Sequence, residues 1–364
     1  MPATLKASEK LTGTSALALS GSLTRPLARV LTSAALALTL SFGAVSSSVA
    51  ADLTKVKIAE VVRSQFYLPM YIAIAKGFAK EQGLDVELVT TNGGDRAGAM
   101  ILSNQADFGL AGPEVPIYIY NGESPDKPVI FCALTATDGF FLVSRAKIDK
   151  FDWSMMNGKK IMGFRPGSTP ELYLEYAMKQ HGVDAATIKG IVTNVGMAAR
   201  DGSWISGFGD FGIFVEPNFT RLEAAGKAHL VTSVGKEVGR ADYTLFFAKK
   251  SWLEKNAATA QKWTNAIAKA QAWVKTANPG DIADAIAPYF PGLSKADNMA
   301  VVNRYRTVGV DIWASSPIPD KAGIEKAEEI MVSGGVLKAD KKVPYDKLVV
   351  TNFADKAVKE MAGK

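Results

Sequence analysis

The chain has 364 residues, 48% of them hydrophobic and 21% charged, which suits a soluble globular protein with one large core or two medium ones. A single cysteine excludes an intrachain disulfide and a cysteine metal cluster, and two histidines far apart in sequence, His181 and His229, leave few candidates for histidine chemistry. The formal charge is +6, but residues 1–50 hold Lys6, Lys10, Arg25 and Arg29 against Glu9, so residues 51–364 carry only +3, too little for a nucleic-acid footprint.

Val30 to Val45 is an uncharged apolar run, preceded by Arg25 and Arg29 and followed by Ser48-Val49-Ala50. This is the pattern of a secretory signal with a small-residue cleavage site. The run is shorter than the roughly 20 apolar residues of a membrane span. The expectation is a signal peptide over 1–50, cleaved after Ala50, and a periplasmic mature protein. Without paired cysteines, such a protein must be held together by its core.

Beyond the signal, strands and helices alternate. Lys55 to Val62 reads as a strand, and Leu68 to Gln82 has helical spacing, with Pro69 in its first turn and Gly83 at its end. Strands are predicted at Asp85–Thr90, Ala106–Ala111 and Val129–Ala136, with a short helix over Asp95–Ser103 and another opening at Gly112-Pro113-Glu114. The pattern then restarts. Lys160–Phe164 reads as a strand leading into helix Glu171–Gln180, and Ile188–Thr193 and Asp210–Phe214 as strands, with a helix over Asn218–Ala225. Tyr243–Ala248 is a strand returning to the first half, and from Ser251 the chain is mostly helical. Alternation at this spacing implies parallel sheets covered by helices.

The expected architecture is therefore α/β in two lobes: 51–143 with 243–364 and its helical C-terminal segment, and 144–242. Hinge segments are expected near Phe141–Ala146 and Gly239–Tyr243. A ligand cleft should lie where the carboxyl ends of the strands converge.

Candidate ligand residues follow from those strand ends. Gln65, Phe66 and Tyr67 offer an amide and two rings at the first junction; the competing role is a loop packed on its own lobe. Asn92 and Gly93, with Gly94, allow close approach of backbone N–H groups, or form a plain turn. No lysine follows at the spacing of a phosphate loop. At Gly112, Pro113 and Glu114 the acid also suits a helix N-terminus for dipole reasons. Thr137, Asp138 and Phe140 lie close to the crossover, where the ring could stack on a ligand or pack the hinge. Arg165, Ser168 and Thr169 join an arginine to a helix start, a ready site for an anion; the alternative is a capping serine beside a solvated arginine. Glu216 ends an apolar strand and must find solvent, a partner or the cleft. Cys132 sits in an apolar strand and reads as inert core. No metal-ligand spacing and no Ser-His-Asp pattern is present.

The phrases Tyr67-Leu68-Pro69-Met70-Tyr71-Ile72-Ala73, Lys76-Gly77-Phe78, Glu81-Gln82-Gly83-Leu84-Asp85-Val86-Glu87, Asn92-Gly93-Gly94, Asn104-Gln105-Ala106-Asp107-Phe108-Gly109 and Gly112-Pro113-Glu114 occur in that order. With Asp210-Phe211-Gly212-Ile213-Phe214-Val215-Glu216-Pro217, they resemble the nitrate/sulfonate/taurine-type substrate-binding proteins of ABC importers. That family also holds binders of thiamine-pyrimidine precursors and riboflavin. The resemblance implies a type II periplasmic-binding (Venus-flytrap) fold, hinge closure on one small molecule, a membrane permease as partner, and a monomer without cofactor. Some relatives make the pyrimidine and carry a cysteine-rich motif; Cys132 alone does not match it, which favours a binding protein over an enzyme. Arg165 favours an anionic ligand, a sulfonate or taurine-like molecule first. Phe66, Tyr67, Phe140 and Phe164 suit a flat body, so a heteroaromatic vitamin precursor of pyrimidine or flavin type is the alternative.

Overall fold

The computed structural model describes residues 52–185 and 195–363; the expected signal peptide and the strand predicted at 188–193 lie outside them. In chain order the first part contains β1 (Thr54–Glu60), α1 (Leu68–Ala75), α2 (Phe78–Glu81), β2 (Leu84–Thr90), α3 (Gly94–Leu102), β3 (Phe108–Ala111), α4 (Glu114–Asn121) and β4 (Pro128–Ala133). Leu68–Gln82 is thus two helices, because Gly77 takes a positive φ of 75° that breaks the helical ladder. The second part contains β5 (Phe141–Ser144), β6 (Ile161–Met162), α5 (Thr169–Gln180), α6 (Arg200–Ile205), β7 (Phe211–Phe214), α7 (Asn218–Ala224), β8 (His229–Ser233) and α8 (Val234–Val238). Then come β9 (Leu245–Lys249), α9 (Lys250–Lys255), α10 (Ala257–Thr276), α11 (Pro279–Ile286), α12 (Lys295–Thr307), α13 (Lys321–Ser333), α14 (Tyr345–Leu348) and α15 (Asn352–Ala362). Among the described residues no helix is long and apolar enough to cross a membrane.

The strands form two sheets, ordered β2-β1-β3-β9-β4 and β6-β7-β5-β8. Each sheet with its helices is one lobe of a two-lobe α/β structure. Neither sheet is purely parallel, as the strand–helix alternation suggested. β1 pairs in parallel with β2 and β3, but β9 lies antiparallel between β3 and β4. In the second sheet β5 is antiparallel to β7 and β8. A strand that returns from the other lobe enters from the opposite end, which reverses its direction.

The chain crosses between lobes at residues 134–140 and 239–244. Phe141–Ser144, expected within the joining segment, is already a strand of the second sheet. The crossings are bonded to each other: Leu134 N donates to Thr244 O at 3.0 Å and Ala241 N to Ala136 O at 3.1 Å. Behind the first sheet, Phe108 packs against Phe131, Phe246, Trp252 and Trp263, with Trp263 fully buried. Such clusters supply the burial that a chain without disulfides requires. Cys132 is buried among these strands, and burial pushes its thiol up, out of the range of a reactive thiolate. α12 and α13 reach both lobes: Lys326 Nζ donates to Tyr176 of α5 at 2.5 Å, and Arg304 pairs with Glu216 at 3.0 Å.

Candidate ligand site

A cavity of about 180 Å³ lies where strand ends of the two lobes meet. Three first-lobe junctions supply Val61, Val62 and Tyr67, then Asn92 to Gly94, then Gly112 and Glu114. The second lobe supplies Phe164, Arg165, Ser168 to Pro170 and Val195 to Met197, and the crossings supply Phe140 and Tyr243.

The loops are shaped for close approach. Asn92 adopts a left-handed φ of 56°, which asparagine tolerates, and Thr91 Oγ1 donates to Glu60 O at 3.0 Å and Gly93 O at 2.9 Å. A Cβ on Gly94 would stand 2.9 Å from Val115 Cγ2, and one on Gly112 would fall inside contact distance of the Glu114 carboxylate and the Thr169 hydroxyl. Only glycine fits at either place.

Glu114, the first residue of α4, is 7% exposed and is the one carboxylate lining this cavity among the described residues. Its oxygens accept the backbone N–H of Thr169, at 3.3 Å, and the Thr169 hydroxyl. Burial holds its carboxyl above the usual range, partly opposed by Thr169 and by the N–H groups of the helix start. Arg165 is the one cationic side chain lining the cavity among the described residues, and its Nη2 stands 2.6 Å from Asp95 Oδ1. The Arg165 hydrogen bond holds the Asp95 carboxyl below its ordinary value. Ser168 precedes α5 as expected, but its hydroxyl donates to Arg165 O at 2.6 Å and caps no N–H group.

Aromatic rings form much of the remaining wall, beside Val61, Val62, Pro170, Val195 and Met197. Phe140 meets Phe164 edge to face at 5.1 Å and lies 6.3 Å from Tyr243. Tyr243 lines the cavity; its hydroxyl is buried without a partner among the described residues, and burial holds its phenol well above the usual range. Phe164 is backed by Arg200, whose guanidinium lies 3.8 Å from the ring centroid. Arg200 is 2% exposed and donates to the carbonyls of Gly163, Met162 and Ile213 at 2.6, 3.0 and 2.9 Å. That geometry fixes the ends of β6 and β7 and so positions Phe164.

Of the residues singled out in the sequence, Tyr67, Asn92, Gly93, Gly94, Gly112, Glu114, Phe140, Phe164, Arg165, Ser168 and Thr169 meet at this cavity. The others do not line it. Gln65 is buried and donates to Asn298 at 3.0 Å. Phe66 packs against Tyr243 and Tyr305 behind Tyr67. Pro113 precedes α4 as its N-cap residue. Thr137 Oγ1 donates to Gly239 O at 2.5 Å and so ties the two crossings together. Asp138 is buried, with one oxygen accepting Phe140 N at 2.5 Å and the other unpartnered. Glu216, expected to contact a ligand, is fully buried; one oxygen faces Arg304 Nε at 3.0 Å, an ion pair whose angle falls short of a hydrogen bond, and the other accepts Thr220 N at 2.9 Å. A buried carboxylate takes whatever cation the fold brings to it, and α12 brings one. Tyr243 and Val195 to Met197 were missed. The latter follow residues 188–193, which the sequence predicts as a strand, and a place just after a predicted strand was a usable signal.

The NMT1/THI5-like family model matches residues 65–281. YtlA of Bacillus subtilis (strain 168), named as a binding protein, is 38% identical over 308 residues, which are 85% of this chain and 91% of that one. Among solved structures, the periplasmic nitrate-binding protein NrtA from Synechocystis PCC 6803 superposes with a TM-score of 0.73 at 16% identity, covering 86% of this chain and 90% of that one. The alkanesulfonate-binding protein SsuA from Xanthomonas axonopodis pv. citri, bound to MOPS, gives 0.67 at 14% identity, covering 83% and 100%. The desulfurization enzyme DSZB gives 0.60 at 12% identity, covering 85% and 99%. At these identities the structural likeness is one of fold, which carries both binders and an enzyme. By its family match and its relative, the chain belongs to the NMT1/THI5-like family, and it has the two-lobe α/β fold of the periplasmic binding proteins.

Proposed function

We propose that this protein is a periplasmic solute-binding protein of an ABC importer, and that it encloses one planar ring bearing a hydrogen-bond donor for delivery to a membrane permease. The observation that carries this reading is Glu114, a buried carboxylate facing a cavity walled by Tyr67, Phe140, Phe164 and Tyr243. Rings of this kind stack on a flat ligand, and the carboxylate accepts from its donor edge. Of the two ligand classes suggested by the sequence, the heteroaromatic one suits this lining better than the sulfonate. Arg165 is already held by Asp95, and a sulfonate beside Glu114 would face a like charge at a cost of roughly several kcal/mol. Size narrows the class further. A cavity of about 150 Å³ holds benzene, so about 180 Å³ suits a single substituted six-membered ring of the pyrimidine kind.

Calorimetric titration of the mature protein with 4-amino-2-methylpyrimidine and with taurine tests the reading. The pyrimidine should bind and taurine should not. Glu114→Gln should weaken pyrimidine binding about ten- to hundredfold, the usual loss for one charge-assisted contact. Taurine binding that disappears in Arg165→Ala and returns only in part in Arg165→Lys would instead establish the anion reading. Mass spectrometry of the recovered ligand separates capture from catalysis, since a binder returns it unaltered.

A further inference from the structure

We propose that the ligand is longer than its ring, and that an apolar substituent leaves the ring cavity beneath the Arg165–Asp95 pair to lie in a second compartment outside it. This rests on the ring assignment above. The second compartment has a volume of about 380 Å³ and shares Gly94, Glu114, Arg165 and Ser168 with the ring cavity, so the two spaces adjoin. Its floor is the seam between α3 and α4, where Gly98 lets the helices close: a Cβ there would meet Val115 Cγ1 at 3.0 Å and Ile119 Cδ1 at 3.2 Å. Its roof is the Arg165–Ser168 loop of the second lobe, and Tyr118 joins floor to roof by donating to Gly167 O at 2.8 Å.

Where the two compartments share walls, the chain carries glycine. A Cβ on Gly93 would stand 2.5 Å from Asp95 Oδ1 and 2.9 Å from Arg165 Nη2, and Gly94 is hemmed in by Val115 and Glu114. The walls beyond it are hydrocarbon: Ala99, Leu102, Val115, Ile119 and Pro166. Leu102 is 41% exposed and Tyr118 37%, among the few large apolar side chains left open to solvent. An uncharged chain of a few carbons would cover them, and the ion pair above it would close over the occupied passage. The same ligand is the occupant that fits, because the groove is continuous with the ring cavity and both lobes form its walls.

Titration of the wild-type protein and of Leu102→Asp with 4-amino-2-methylpyrimidine and its 5-butyl derivative decides the matter. In the wild type the butyl compound should bind at least about tenfold more tightly, since each buried methylene adds favourable transfer free energy. In Leu102→Asp that ratio should fall to about threefold or less. Leu102 is exposed, so the variant should fold, and an unchanged Tm would show it. Equal affinity for the two compounds, or a ratio untouched by Leu102→Asp, would overturn the second compartment, leave the groove to a protein partner, and let the ring assignment stand. Failure of both compounds to bind would overturn the ring assignment and the compartment with it.

Discussion

The guanidinium of Arg165, on the loop before α5, stands 2.6 Å from the carboxylate of Asp95 in the first turn of α3, so one ion pair joins the two lobes at the edge of the cavity. Both side chains are more than half exposed, at 52% and 58%. Water and salt screen a pair this open, and its contribution is about 0.2–1 kcal/mol. That is small against the stability of a whole domain but enough to bias an equilibrium between open and closed lobes severalfold.

Asp95→Ala should therefore leave urea stability within about 1 kcal/mol of wild type, while small-angle scattering of the ligand-free protein shows a larger radius of gyration. High salt should move the wild type in the same direction. A stability loss well beyond that range would show that the pair holds the fold rather than the closure.

Gly112→Ala should act more strongly. The added Cβ would collide with the Glu114 carboxylate and the Thr169 hydroxyl, the contact that seats the start of α5 against α4. The expected outcome is a protein that folds with near-normal circular dichroism but stays open in scattering experiments with saturating ligand. Affinity should fall by at least tenfold. Closure and affinity like those of the wild type would mean that the lobes meet elsewhere.

Stability should rise on mild acidification. Burial raises the Glu171 carboxyl to about 7, and that of Asp242 to about 7. In the unfolded chain such groups titrate near 4. Between roughly pH 4 and 7 the folded state binds protons that the unfolded state does not, so stability falls as pH rises through that window. The Tm of ligand-free protein should thus be higher at pH 5.5 than at pH 7.5. Glu171→Gln should flatten part of that slope, since its amide has no proton to bind. A Tm that rises with pH over the same interval would reverse the assignment.

What could be read from the sequence is what short stretches of chain decide. Gly83 sits where a helix ends, and Pro69 and Pro170 fall in first turns, because φ and the missing N–H are local properties; the break at Gly77 was not read, and one helix was expected across it. The junctions at Asn92–Gly93, Gly112–Glu114 and Arg165–Thr169 were visible for the same reason: a strand that gives way to a helix through glycine and polar residues marks a strand end. Which partner each charge meets was not visible. Asp95 lies 70 residues from Arg165, and Arg304 lies beyond the return strand from Glu216. Arg165 and Glu216 looked alike in sequence, each a charge after a strand, yet one faces the cavity and the other is sealed beneath α12. Their difference is set by which helix packs over each strand end. For Glu216, sealed in a low-dielectric interior, the nearest opposite charge decides the pairing, and that distance exists only once the lobes and the C-terminal helices have come together.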